Sequence, residues 1–85
     1  MIKQLILEYN FKNVLKASMN NERYAYVVYD TLEGIKKGKS PQQSYIDALK
    51  YEQYTGNRDS EIEGRKNIAK ILKYKFNIII DPNKF

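Results

Sequence analysis

Cysteine and histidine are both absent from this 85-residue chain. Without cysteine there can be no disulfide, no thiolate metal site and no cysteine nucleophile. Without histidine the chain lacks the commonest metal ligand and the side chain most often used as a general base near neutrality. Long apolar runs are missing too. The longest aliphatic block is Ile78-Ile79-Ile80, far short of the ~18 residues that span a bilayer. The opening "MIKQLILEYNF" carries no small-residue cleavage site and is interrupted by Glu8, so it does not read as a signal peptide. Internal repeats, low-complexity tracts and linkers are absent as well. These gaps leave a single domain over 1–85, expected to be cytoplasmic, with no enzyme activity, metal or cofactor expected. A chain of this size buries roughly 60–65% of its unfolded surface, enough for one modest core.

What is present is basic. Fifteen Lys and Arg against ten Asp and Glu give a net charge of +5, which invites a nucleic-acid reading. Codon composition offers a plainer cause. Lysine (12), isoleucine (10), asparagine (8) and tyrosine (8) supply 38 of the 85 residues, and all four have AT-rich codons. Lysine outnumbers arginine 12 to 3, whereas base readers favour the planar arginine fork. The bias points to a low-GC bacterium, its phage or its plasmid.

Capping signals divide the chain into four helical segments, at about 3–18, 22–37, 41–55 and 61–76. "GKSPQQ" sets Gly38 as a stop, Ser40 as an N-cap, Pro41 at the first helical position and Gln43 at the third. "TGNRDSEIE" repeats the arrangement with Gly56, Ser60 and Glu63, and Asn20 or Asn21 offers a further N-cap. Helical spacing gathers Tyr24, Ala25, Val28, Leu32 and Ile35 on one arc. Tyr45, Ala48 and Leu49 form another, and Ile62, Ile68, Ala69, Leu72 and Phe76 a third. Short connections favour antiparallel neighbours. The expected fold is an all-α bundle of about four short helices. In the first segment Leu5, Leu7, Tyr9 and Phe11 also alternate as a strand would, which leaves open a two-stranded pairing with residues 77–81.

Several motifs fail on inspection. "GIKKGKS" has three residues where a P-loop needs four, and it follows a helix rather than a strand. "IEGR", Ile62 to Arg65, lies inside a patterned helix and carries no assignment. Glu61 and Glu63 do not share a helix face; they sit in a first turn, where they complement the macrodipole.

Two features remain. Tyr26 and Tyr29, and likewise Tyr51 and Tyr54, lie off their apolar arcs at i,i+3 spacing, where tyrosines supply contact area for a partner. Lys66, Lys70 and Lys73 fall close together beside the last apolar stripe, and Arg65 occupies an apolar position where a leucine is expected. It is set to snorkel, to pair with Glu61 or to face a partner. The expected function is a small non-catalytic interaction protein, encoded by a phage or mobile element. It would bind and inhibit or modulate a host protein, such as nucleic-acid machinery or a defence complex, through Tyr26, Tyr29, Tyr51, Tyr54, Arg65, Lys66, Lys70 and Lys73. A basic DNA-binding regulator, dimeric or not, is the alternative, and a membrane-face immunity-type bundle a distant third. Three lysines on phosphates would give a salt slope of about −2.7, a roughly 40-fold loss between 50 and 200 mM salt.

Overall fold

The computed structural model describes residues 9–85. Four helices follow one another: α1, Phe11–Ala17; α2, Glu22–Lys36; α3, Pro41–Tyr51; and α4, Asp59–Phe76. Among the described residues there is no strand, and the fold is all-α as the patterning predicts. The expected helix over about 3–18 is corrected at its start: Tyr9 and Asn10 are not helical, and Asn10, in an extended conformation, caps a helix that begins at Phe11, while residues 1–8 lie outside the described ones.

Three of the four starts are side-chain caps. Asn10, Asn21 and Ser40 accept from the backbone N–H of Asn13, Tyr24 and Gln43, which satisfies donors that have no partner within the helix. Pro41 follows Ser40 at the first helical position. Helix α4 differs from expectation. It begins at Asp59 behind Arg58, with no side-chain cap, so Ser60 lies within the first turn rather than ahead of it.

The stops of α1, α2 and α3 are Schellman turns, and that of α3 moves a predicted boundary. Gly38 (φ +101°) ends α2 as expected, with the Lys39 N–H reaching Gly34 O and the Gly38 N–H reaching Ile35 O. Helix α3 stops at Tyr51, well before Gly56. Gln53 takes the left-handed conformation (φ 57°), and the Tyr54 N–H bonds back to Leu49 O at 2.8 Å. In this motif the residue after the left-handed one folds back onto the last helical turn. Tyr54 therefore turns inward, and Gly56 is free for another role.

Helices α2 and α3 form an antiparallel hairpin, and α1 and α4 pack on α2. Val14, Ala25, Val28, Leu32, Tyr45, Leu49, Ile68 and Leu72 make the centre of the core. Each fully buried aliphatic side chain contributes about 1.5–3 kcal/mol. After α4 the chain reverses at Asn77 (φ 59°), and Ile78 plugs the core. The tail does not pair as a strand. Instead the Gln42 side chain serves as its partner: Oε1 accepts from the Asp81 N–H, and Nε2 donates to Asp81 O and Lys84 O. The Tyr45 hydroxyl donates to Pro82 O. One amide and one phenol thus supply the bonds that a neighbouring strand would have given.

Candidate functional site

The tyrosines of interest do not share one surface. Tyr26 lies on Phe11, with ring centroids 4.9 Å apart, and Tyr29 meets Phe11 and Tyr9 edge-on. These contacts help dock α1 onto α2, with Tyr29 partly buried and Tyr26 still 47% exposed, as expected. Tyr51 is 80% exposed on the α2–α3 hairpin. Tyr54 corrects the expectation outright, because it is only 4% exposed. The helical wheel assumed α3 to continue through residue 54, and the Schellman turn redirects that side chain. Its ring lies beneath the Arg23 guanidinium, 4.2 Å from ring centre, and its hydroxyl sits against Gly64.

Arg65 is also corrected as a partner-facing residue. It is 2% exposed, and its Nη1 donates to Tyr54 O at 3.0 Å and Gly56 O at 2.7 Å. The Phe85 ring packs on the guanidinium at 4.7 Å. Neither snorkelling nor pairing with Glu61 describes it. Arg65 holds the α3–α4 loop and the last residue of the chain together. "IEGR" acquires a structural meaning here: Gly64 makes room for Tyr54, and Arg65 gathers the loop carbonyls.

Lys66, Lys70 and Lys73 are exposed on α4, as expected. The structure adds three apolar residues beside them. Tyr74 is 73% exposed between two shallow grooves. Ala17, Met19, Asn67, Ile71 and Lys75 line one groove, and Ala69, Ile79 and Ile80 the other, with Lys70 and Tyr74 common to both. Met19 and Ile79 are also mostly exposed. Lys73 Nζ stands 5.3 Å from the Tyr74 ring centre. The result is an apolar ridge with an ammonium rim. Large contiguous apolar exposure marks interaction sites more often than isolated apolar residues do.

A third concavity, of about 440 Å³, lies along the seam between α2 and α3. Asp30, Glu33 and Gly34 line it from α2 with the cap residue Lys37, Ser44, Asp47, Ala48 and Tyr51 line it from α3, and Lys39 closes it at the turn. Each set runs i, i+3, i+4, i+7, one face of a helix. Glu33 accepts from the Tyr9 hydroxyl, and Asp47 pairs with Lys39 at 2.8 Å. Burial and the Glu33 charge both raise the pKa of Tyr9. Lys39 and Gln43 hold Asp47 below the usual carboxylate range. Asp30 is different: its Oδ2 is buried without a hydrogen-bond partner among the described residues. Burial, then the neighbouring Glu52 carboxyl, then the Glu33 charge push its pKa up to about 7.

That displacement has a signed consequence for stability. The folded state holds this proton more tightly than the unfolded chain does. Asp30 therefore favours folding at low pH, and the advantage is lost as pH rises from about 4 to about 7. Asp30→Asn should leave stability nearly unchanged at about pH 4. At about pH 8 it should add about 1–2 kcal/mol, less than full linkage would give because water screens a group that is only partly buried. Urea midpoints at the two pH values check this; an equal effect at both would refute the assignment.

Compared with family models, curated proteins and solved structures, the chain matches none. No helix among the described residues is long and apolar enough to cross a membrane. None of their Asp and Glu side chains come together in a group of three that could hold a metal ion.

Proposed function

We propose that this chain is a small non-catalytic binding protein, encoded by a phage or mobile element, that modulates a host protein. In this reading the Tyr74 face of α4 lies on an acidic, partly apolar surface of that host protein. The supporting observation is the ridge of Met19, Tyr74 and Ile79 flanked by Lys70, Lys73 and Lys75. Apolar anchors with charge held to the rim are the arrangement that gives affinity at the centre and steering at the edge. A phosphate backbone would use the lysines but leave Met19 and Ile79 without a role. The AT-rich composition and small size suit the proposed origin.

Photo-cross-linking from Lys66 in a low-GC bacterial lysate, with and without nuclease, tests the reading. A nuclease-resistant protein adduct is expected, reduced about tenfold by Tyr74→Ala. The same substitution should move folding stability by no more than about 0.5 kcal/mol, because the ring is exposed. An adduct abolished by nuclease would replace this reading with the DNA-binding one. An adduct indifferent to Tyr74→Ala would remove the ridge from it.

A further inference from the structure

The α2–α3 cleft is bipolar. Because the two helices are antiparallel, Asp30 on α2 and Tyr51 on α3 stand at the end away from the connecting turn, and Glu52 neighbours Asp30 there. Lys37 and Lys39 stand at the turn. Seven residues separate Asp30 from Lys37, about 10 Å along a helix axis. Gly34 and Ala48 line the cleft between the ends with little side-chain volume. Ser44 approaches so closely that a β-carbon on Gly34 would lie 2.6 Å from its Oγ.

Two acceptors are left over in this cleft. Ser44 is 1% exposed, and its Oγ has no hydrogen-bond partner among the described residues; Asp30 Oδ2 is likewise buried and unpartnered. Buried polar groups without partners cost stability, so a pair lining one cleft is a mark of a ligand's place. Two further carboxylates are accounted for. Glu33 is held by Tyr9, and Asp47 by Lys39 and Gln43. At the acid end the Asp30 and Glu52 carboxyls face one another, so a proton or a cationic donor must lie between them.

We infer that this cleft binds a guanidinium group at Asp30 and Ser44, stacked on Tyr51, in a ligand whose other end is a carboxylate directed at Lys37. Arginine is the simplest such molecule, whether free or as the last residue of a peptide. A guanidinium carries five N–H donors in a plane, which can serve two separated acceptors while offering a face to an aromatic ring. A compact ammonium would serve them less well and is harder to strip of water. General attraction to cations is disfavoured by the net charge of +5, so specific binding would stand out.

Chemical-shift titration of the intact protein with arginine, agmatine and a tripeptide ending in arginine tests the inference. Arginine should give saturable shifts at Asp30, Gly34, Ser44 and Tyr51 within about 10 mM, and agmatine, which lacks the carboxylate, should bind at least about tenfold more weakly. The tripeptide separates the two sources: binding as tight as arginine's identifies a chain terminus, and much weaker binding identifies the free amino acid. Asp30→Asn should abolish the shifts. Tyr51→Ala, at a site exposed enough to leave folding intact, should weaken binding about three- to fivefold. Binding should also tighten as pH rises through 7, because Asp30 must shed its proton among Glu33, Glu52 and Asp47 on one side and Lys37 and Lys39 on the other. No saturable shift with arginine, or equal affinity for agmatine, would overturn the assignment.

Discussion

Arg65→Met is expected to destabilise the fold by about 2–3 kcal/mol, although it keeps a long apolar stem in place. The guanidinium donates to Tyr54 O and Gly56 O, both in a loop with few other ties. A hydrogen bond to a charged donor is worth about 1.5–3 kcal/mol, and one buried and one part-buried carbonyl would lose their donor together. The loss is offset in part because burying a guanidinium is itself costly, the more so with Nε unpartnered among the described residues. Arg65→Lys should recover at most half of the loss, since one ammonium replaces a planar fork. Urea denaturation measures the total, and amide exchange over residues 54–58 should accelerate before the core does. A change below about 0.5 kcal/mol would mean that the loop holds itself.

The parts of this fold legible in sequence are those governed by local chemistry. Periodicity placed Ala25, Val28, Leu32, Tyr45, Leu49, Ile68 and Leu72 inside, and all are buried. Ser40, Pro41 and Gly38 cap as their residue types require. Gly56 and Ser60 mislead because Gln53, a residue with no strong left-handed preference, takes the turn three positions earlier. That choice reverses Tyr54 and removes it from the surface. Arg65 was conspicuous in the apolar arc, but its partners are main-chain carbonyls, which no side-chain pattern can reveal. Tyr74 was missed because a wheel read for its apolar arc says little about the opposite face; its placement between Lys73 and Lys75 was the available signal. Asp30 sits beside a core arc and meets Glu52 only once the hairpin closes, a juxtaposition across 22 residues of chain.

The same close packing makes Gly64 sensitive to a single added carbon. Exposed glycines inside helices usually gain about 1 kcal/mol when changed to alanine. Here a β-carbon would strike the Tyr54 hydroxyl and come within 2.9 Å of Cζ and 3.1 Å of Cε1. The ring is buried, with the Arg23 guanidinium 4.2 Å from its centre, so it can retreat only by disturbing its neighbours. Gly64→Ala should therefore destabilise by about 2 kcal/mol, the overpacking cost exceeding the helix gain. Tyr54→Ala alone should cost about 3 kcal/mol for the cavity it leaves. Combined, the two should cost less than their sum, because without the phenol Gly64→Ala regains its ordinary stabilising effect. The double-mutant cycle should show a coupling of about 3 kcal/mol and a reversal of sign for the alanine substitution. Simple additivity would mean that the ring can swing clear, and that Tyr54 is less firmly seated between Arg23 and Gly64 than their contacts indicate.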